Sequence, residues 1–332
     1  MSAGDGRPSE DDLIARWFAP IAGPAGLALK DDAACLTPPP GHDLVLTADA
    51  LVAGVHFFPD DPPASIARKA LDVNLSDLAA KGAEPAGFLL SLALPPDWQP
   101  DWLEAFASGL GQAAGAGRCP LLGGDTVKTP GPLTLSVTAL GSVPTGRMVA
   151  RTGARPGDAV YVSGTIGDAA LGLKLRQAPD AAWAAALSAG DRDHLLDRFL
   201  HPRPRQALVP ALRAAASGAM DVSDGLLGDL AKMMRASGTH ATLDLDAVPL
   251  SGAARRAVAA DPDLLAVAAT GGDDYEILAT VPAAAAAAFE TAALQTGMAV
   301  TRLAMVTAGP AGIMVLRNGK PVPIGAGSYS HF

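Results

Sequence analysis

The stretch that decides the fold runs from Pro63 to Pro85 and reads PASIARKALDVNLSDLAAKGAEP. Leu71, Leu75 and Leu78 recur at the i, i+4, i+7 spacing of one apolar helix face. Gly82 and Pro85 supply the signals that end a helix. The pattern therefore predicts an amphipathic helix that packs its leucines against a sheet.

The opposite side of this helix carries polar residues. Asn74, Asp77 and Lys81 share one face on a helical wheel, away from the leucines. Asp77 and Lys81 are four residues apart, so a plain surface ion pair is one interpretation. A polar face that also carries Asn is what a ligand-facing helix would show, and this second interpretation stays open.

Strands and helices alternate on both sides of this segment. In the first half, the patterns predict helices from Asp11 and Asp101 and strands from His42, Gly87 and Leu133, the second of them buried. Beyond a Gly/Pro-rich turn near residues 151–157, they predict a strand in RTGARPGDAVYVSG, a strand end, turn and helix in DVSDGLLGDLAKMM, a strand in ATLDLDAVPL, a turn and strand in GGDDYEILATV, a surface helix from Ala283, and a hairpin in AGIMVLRNGKPVPIG. The expected fold class is α/β (α+β), with an N-terminal domain over residues 1–148 and a C-terminal domain over residues 149–332.

Composition narrows the classes of function. Asp and Glu number 34 against 25 Lys and Arg, a formal charge of −9, so a nucleic-acid backbone is not an expected partner. Only two cysteines occur, which favours neither a disulfide framework nor a zinc site. The polar N-terminus and the short apolar runs predict no signal peptide and no membrane helix. We expect a cytoplasmic protein.

Short acidic side chains recur beside glycines and at predicted strand ends. They are Asp31, Asp32, Asp49, Asp77, Asp125, Asp221, Asp224, Asp273 and Asp274. Carboxylate oxygens suit Mg²⁺, and flanking glycines let a polyphosphate approach the main chain. Each instance alone is also ordinary turn chemistry, and Ser223 or Asp224 could simply cap the next helix. The whole set favours an acidic protein that binds phosphates through divalent cations.

Other motifs give weaker evidence about function. No GxxxxGK[ST] run occurs, which excludes a P-loop. GLGQAAG at Gly109 lies inside a helical pattern, which favours helix packing, and SGTIGDAALGL from Ser163 lacks a full dinucleotide fingerprint. The histidines show no metal-ligand spacing, and no Ser-His-Asp or Cys-His arrangement can be argued, so no covalent nucleophile is expected.

Taken together, the motifs resemble the thiamine-monophosphate kinase family of the aminoimidazole ribonucleotide synthetase-like superfamily. NLSDLAAKGA and DVSDG are typical of the superfamily, while TADALVAGVHF, GGDDYE and the C-terminal hairpin narrow it to this member. The resemblance implies ATP-dependent phosphorylation of thiamine monophosphate to thiamine diphosphate, with several Mg²⁺ ions. It also implies a homodimer in which the N-terminal sheet forms a dimer-spanning β-barrel.

The resemblance also assigns site residues. It implies metal ligands at Asp32, Thr47, Ala48 (through its carbonyl), Asp49, Asp77, Asp125, Asp221 and Asp224. It implies ATP contacts from Gly124, Asp125, Arg151 and Ser223, and acceptor contacts from His56, Asp273 and Ala326. The chain departs from the family pattern at four positions: Lys30 for Gly, Ala48 for Thr, Asp273 for Glu and Ala326 for Trp, the last with Tyr329 nearby.

Two alternatives remain at this point. One is another ATP-dependent reaction on the same scaffold, such as that of an aminoimidazole ribonucleotide synthetase-like ligase. The other is a nucleotide-binding protein without catalysis, which the full carboxylate set disfavours.

Overall fold

A division close to Gly146 separates the chain into two structural units. The computed structural model describes residues 8–323. The first unit comprises the chain up to Leu78 together with Ala83–Gly146, and the second comprises Ala79–Gly82 together with the chain from Arg147 onward. The last residues of the Pro63 helix therefore group with the second unit.

The first unit is a four-stranded sheet with two long helices packed on one face. Its elements are α1 (Glu10–Leu13), β1 (His42–Val52), α2 (Pro63–Ala80), β2 (Glu84–Leu94), α3 (Pro100–Gly117), β3 (Leu121–Lys128) and β4 (Thr134–Pro144). The strand order is β1-β4-β2-β3, in which only β2 and β3 run parallel. A π-helical turn, Ile14–Phe18, extends α1.

Helix α2 confirms the prediction made from its leucines. It begins at Pro63 and ends at Ala80, and Gly82 then adopts a left-handed φ of 71°. Leu71, Leu75 and Leu78 are buried. Helix α3 approaches α2 so closely that a Cβ at Gly109 would overlap Ala64, which confirms the packing role of the GLGQAAG glycine.

The two faces of the first sheet differ. Alternate residues of β1, β2 and β4 are buried on what we call the helix face, where Leu78 of α2 approaches Gly141. The opposite face, here the outer face, carries the exposed side chains of Leu44, Leu46, Leu89 and Val127. The prediction of a buried strand from Gly87 is therefore wrong about burial, because the odd-numbered residues of β2 from Leu89 point to the outer face. The strand also starts earlier than predicted, at Glu84.

The second unit is built on a seven-stranded mixed sheet. Its strands are β5 (Asp158–Ser163), β6 (Gly218–Asp221), β7 (His240–Asp244), β8 (Ile277–Pro282), β9 (Val300–Thr307), β10 (Gly312–Arg317) and β11 (Lys320–Pro321), in the order β11-β10-β7-β9-β5-β8-β6. Its helices are α4 (Asp168–Gln177), α5 (Ala189–Leu200), α6 (Val209–Ala215), α7 (Leu226–Ser237), α8 (Gly252–Ala260), α9 (Leu264–Thr270) and α10 (Ala286–Gln295).

Both faces of this second sheet are covered. Val160 and Val162 of β5 pack with α7, whereas Ala159 and Tyr161 pack with α6 and α10. All six residues of β5 are consequently buried, which explains the continuous apolar run at residues 159–162. None of the helices among residues 8–323 is long and apolar enough to span a membrane.

Two predictions in the second half compare differently with the structure. The strand expected in ATLDLDAVPL ends at Asp244, because the Asp244 side chain accepts a hydrogen bond from the Asp246 N–H and starts a 3₁₀ turn. The expected C-terminal hairpin is confirmed: β10 and β11 pair across Asn318 and Gly319, both with positive φ.

Candidate active site

The first group of candidate ligands lies on the helix face of the first sheet. Thr47 in β1 donates a hydrogen bond through Oγ1 to Oδ2 of Asp77 in α2. Asp49 lies two residues farther along β1 on the same face. All three side chains supply oxygen, so this group fits an Mg²⁺ ion that completes its shell with water and phosphate oxygens. Ala48 points to the outer face and could offer only its carbonyl.

A second group lies on the outer face. Asp125 in β3 is in register with Ser91 of β2, and it lines a cavity of about 720 Å³ together with Asp31 and Asp32. The sheet register passes from Asp49 through β4 and β2 to Gly124, so Asp49 and Asp125 point to opposite faces. The first unit therefore holds its candidate ligands in two places, and Asp49 and Asp125 lie inside strands instead of at turns.

Gly124, a predicted ATP contact, has a packing requirement of its own. A Cβ at this position would overlap the carbonyl oxygen of Leu90 in the neighbouring strand. At Gly123, by contrast, the nearest atom to an added Cβ is Leu89 Cδ2, 3.4 Å away, which is an ordinary contact. The close approach of β2 and β3 is thus what demands glycine at position 124.

In the second unit, Asp221 ends β6 and is buried. The DVSDG turn is held by the carboxylate of Asp229, a residue that the sequence analysis did not single out. The backbone N–H groups of Ser223 and Asp224 donate to Oδ2 of Asp229 at 3.0 and 2.9 Å. Burial raises the pKa of Asp229 despite these bonds.

The alternative that Ser223 or Asp224 caps α7 is wrong. The N-cap residue is Gly225, with φ 107° and no side-chain cap, and its missing Cβ leaves room for the Thr270 carbonyl. Ser223 and Asp224 belong instead to the turn that precedes the helix.

Lys232 of α7 places a positive charge beside the carboxylates of Asp224 and Asp229. Its Nζ forms ion pairs with Asp224 and, at 2.9 Å, with Asp229 Oδ1. These partners raise the pKa of Lys232, although burial opposes them. A metal ion at Asp224 would share that carboxylate with Lys232 or displace the lysine.

The GGDDYE segment runs directly beside the DVSDG turn. The Asp273 N–H donates to the Ser223 carbonyl and the Tyr275 N–H to the Val222 carbonyl, both at 2.9 Å. A side chain at Gly272 would overlap the Ser223 carbonyl. The structure therefore brings Ser223, a predicted ATP contact, next to Asp273, a predicted acceptor contact.

Side chains alternate along GGDDYE between interior and surface. Asp274 and Glu276 are fully buried, and burial raises the pKa of Asp274 well above its ordinary value. Asp273 and Tyr275 are partly exposed, and the Tyr275 hydroxyl donates to Asp273 Oδ1 at 3.4 Å. Both have positive φ, 72° and 51°, an unusual backbone for residues other than glycine.

The remaining predicted residues are scattered. His56 follows β1, and its Nδ1 accepts a hydrogen bond from the Val52 N–H at 3.0 Å. Arg151 is exposed in a 3₁₀ turn, and its carbonyl accepts a bond from Ser237. Ala326, like Tyr329, lies outside the described residues.

Among residues 8–323, no group of three or more His, Cys, Asp or Glu side chains is arranged as a complete metal site. Magnesium at phosphate-transfer sites commonly uses one or two carboxylates and takes its other ligands from phosphates and water. The Thr47–Asp49–Asp77 group and the Asp31–Asp32–Asp125 cavity offer the oxygen donors that a partial site of that kind would use.

Sequence analysis missed several residues that shape the site: Tyr275, Glu276, Asp229 and Lys232. The i, i+3 spacing of Asp229 and Lys232 is a signal that could have suggested their pairing. The bonds from Asp229 to the preceding turn leave no such periodic signal.

Comparison with known families covers most of the chain. The model described as AIR synthase related protein, N-terminal domain, matches residues 30–143, and the corresponding C-terminal domain model matches residues 155–317.

Among curated relatives, the thiamine-monophosphate kinase of Caulobacter vibrioides is 44% identical over 89% of this chain and 83% of that protein. The enzyme of the same name from Escherichia coli K12 is 42% identical over 97% of this chain and 98% of that protein.

Solved structures agree in fold. The crystal structure of thiamine-monophosphate kinase from Stenotrophomonas maltophilia K279a matches with TM-score 0.80 and 42% identity over 89% of this chain and 91% of that one. AaThiL complexed with AMPPCP and TMP matches with TM-score 0.76 and 31% identity over 91% of both chains. The chain thus belongs to the thiamine-monophosphate kinase family of the AIR synthase related proteins.

Proposed function

We propose that this protein transfers the γ-phosphoryl group of ATP to thiamine monophosphate, yielding thiamine diphosphate and ADP. The observation that carries the proposal is the match over 91% of the chain to AaThiL complexed with AMPPCP and TMP. The adjacency of Ser223 and Asp273 supports it, because these residues belong to the motifs assigned to nucleotide and acceptor.

The reaction is an in-line displacement. A phosphate oxygen of thiamine monophosphate forms a bond to the γ-phosphorus, while the bond from that phosphorus to the β,γ-bridging oxygen breaks and ADP leaves. The attacking oxygen is already anionic, so the protein need not supply a general base. The main obstacle is charge repulsion, about 4 kcal/mol for two unit charges ~4 Å apart at an effective dielectric near 20.

The proposed metal ligands follow from the oxygen donors described above. Thr47, Asp49 and Asp77 would hold magnesium on the helix face, with Asp32 and Asp125 as a second group. Asp221, Asp224 and the Ala48 carbonyl complete the proposed ligand set. Bound Mg²⁺ would neutralise phosphate charge and align the two substrates.

The chain's own residues then bind and orient the substrates. Ser223, Gly124, Asp125 and Arg151 are proposed to contact ATP, and Arg151 presents an exposed guanidinium suited to a phosphate. His56 and Asp273 are proposed to contact the acceptor, with Ala326 as the third position. The Val52 N–H occupies His56 Nδ1, so in the neutral imidazole Nε2 carries the proton that can be donated.

We also propose that the two structural units correspond to the predicted domains and that the protein is a homodimer. The outer face of the first sheet exposes Leu46 to 61% and Leu44 and Leu89 to 39% each. An apolar sheet face of this kind is typical of an interaction surface. Pairing two such faces would produce the dimer-spanning barrel.

The decisive experiment incubates the purified protein with Mg-ATP and thiamine monophosphate and analyses the products by chromatography. We expect thiamine diphosphate and ADP in equal amounts. Binding of ATP without any product would support a silent nucleotide-binding protein. ADP formed only with a different acceptor would support the ligase-like alternative.

A further inference from the structure

The two buried carboxylates of the GGDDYE segment fasten it to four other parts of the second unit: the end of β5, the start of α4, helix α5 and the segment at Arg205. Asp274 accepts hydrogen bonds from the N–H groups of Gly167, at 2.6 Å, and Ala169, at 3.2 Å, at the start of α4. This places one anchor immediately after the partly exposed Asp273.

Glu276 is the second anchor, and two arginines hold it. Arg205 donates to both of its carboxylate oxygens, through Nε at 2.6 Å and through a second guanidinium nitrogen. Arg198 donates to Glu276 Oε1 at 3.3 Å and also to the Asp274 carbonyl at 2.9 Å. Ser163 at the end of β5 adds a hydroxyl bond at 2.6 Å. Gly164 has a positive φ of 57°, and a Cβ there would overlap the Glu276 carboxylate.

This network is costly to bury, which suggests that it serves conformation more than stability. Glu276 is fully buried and Arg198 is 2% exposed. Buried ion pairs often contribute little net stability compared with apolar packing, although breaking one partner is strongly destabilising. What the network does achieve is to hold residues 274 and 276 inward, which leaves Asp273 and Tyr275 in their positive-φ conformations facing outward.

We propose that Glu276 and Arg205 are positioning residues that set the conformation of the Asp273–Tyr275 turn and thereby the affinity for the phosphorylated acceptor. Tyr275 belongs to the same turn, because its hydroxyl donates a hydrogen bond to Asp273 Oδ1. The inference rests on the proposed function, in which Asp273 contacts the acceptor. Neither Glu276 nor Arg205 is assigned a contact with substrate.

The test compares steady-state kinetics of Arg205→Met, Arg205→Lys and Arg256→Met. Arg256 forms a two-bond pair with Asp191 elsewhere in the second unit, with a more exposed guanidinium, so its loss is a control for removing a carboxylate-paired arginine. We expect Arg205→Met to raise the KM for thiamine monophosphate about tenfold or more and to leave the KM for ATP within about twofold. Arg205→Lys keeps the charge and should recover part of the acceptor affinity. Arg256→Met should change neither KM.

Ser163→Ala provides a milder second variant if Arg205→Met fails to fold. It removes the hydroxyl bond to Glu276 and the acceptor of the Ile277 N–H, and it should raise the acceptor KM in the same direction by a smaller factor. Equal rises in both KM values, or a Ser163→Ala protein with unchanged acceptor KM, would overturn the inference.

Asp273→Ala separates this inference from the proposed function. If Asp273→Ala weakens the acceptor while Arg205→Met does not, the positioning role is refuted and the proposed function stands. If Asp273→Ala leaves acceptor affinity unchanged, or the wild-type protein makes no thiamine diphosphate, the assignment of the acceptor site fails and the inference fails with it.

Discussion

Asp77 of α2 forms a hydrogen bond with Thr47 of β1 and so links the helix to the sheet. Its carboxylate accepts the Thr47 hydroxyl bond and is only partly buried, so it can also bind a cation. We expect Asp77→Asn, which keeps a hydrogen-bond acceptor but loses the charge, to lower turnover at least about 100-fold, the size typical for loss of one preorganised electrostatic contact. The melting temperature should shift by no more than about 4 °C.

Turnover and thermal melting should be measured on the same preparation. Asp101→Asn, at an exposed position in the first turn of α3, is the control and should leave turnover unchanged. An Asp77→Asn protein that turns over at a near-normal rate would contradict the proposed ligand set.

Asp72, on the same helix, should make the stability of the protein depend on pH. Burial outweighs the attraction of Arg68 and raises the pKa of Asp72 from 3.8 to about 6. The folded state therefore binds this proton more tightly than the unfolded state, so Asp72 lowers stability progressively as pH rises from about 4 to about 6. Asp72→Asn should remove that cost, a gain of at most about 3 kcal/mol at pH 7 and none at pH ~3.

Urea unfolding at several pH values checks this expectation. The difference between Asp72→Asn and the wild type should grow with pH across that window and then become constant. A difference independent of pH would show that Asp72 titrates normally in the folded protein.

At the scale of elements, the close pairing of β2 with β3 depends on the absence of a side chain at Gly124. An added Cβ would overlap the Leu90 carbonyl, which is part of the backbone and cannot move aside cheaply. We expect Gly124→Ala to separate the strands and destabilise the protein by about 2 kcal/mol or more, within the range for overpacking. Gly123→Ala is the matched control, since its Cβ has only an ordinary contact, and should cost less than about 1 kcal/mol. Chemical unfolding measures both, and equal losses would refute the packing argument.

Element prediction succeeded where a local period was strong. β1 and α2 begin where predicted, at His42 and Pro63, because alternation and the i, i+4, i+7 spacing are properties of consecutive residues. β3 was not predicted, since LLGGDTVK carries two glycines and no clear alternation. β7 ended early because a single side chain, Asp244, competed for backbone hydrogen bonds.

At the scale of the whole molecule, the outer face of the first sheet predicts self-association. Leu46 is its most exposed large apolar residue, at 61%. If two copies pair there, Leu46→Glu places a charge in an apolar interface and should convert the protein from about twice its 33.4 kDa chain mass to a monomer. Leu294→Glu, at a 76% exposed position on α10, should not change the mass. Light scattering distinguishes these outcomes, and a monomeric wild type would refute the proposed dimer.

The sequence by itself determined the alternation of strands and helices, the acidic character and the family, because these are recorded in residue types and short spacings. Only the tertiary structure decided which side chains meet. Strand register puts Asp49 and Asp125 on opposite faces of the sheet. Lys232 forms an ion pair with Asp224, and Arg205 donates hydrogen bonds to Glu276, 71 residues away in the chain. The physical reason is that a helix or strand period is local, whereas a buried charge must find its partner wherever the packed chain brings one.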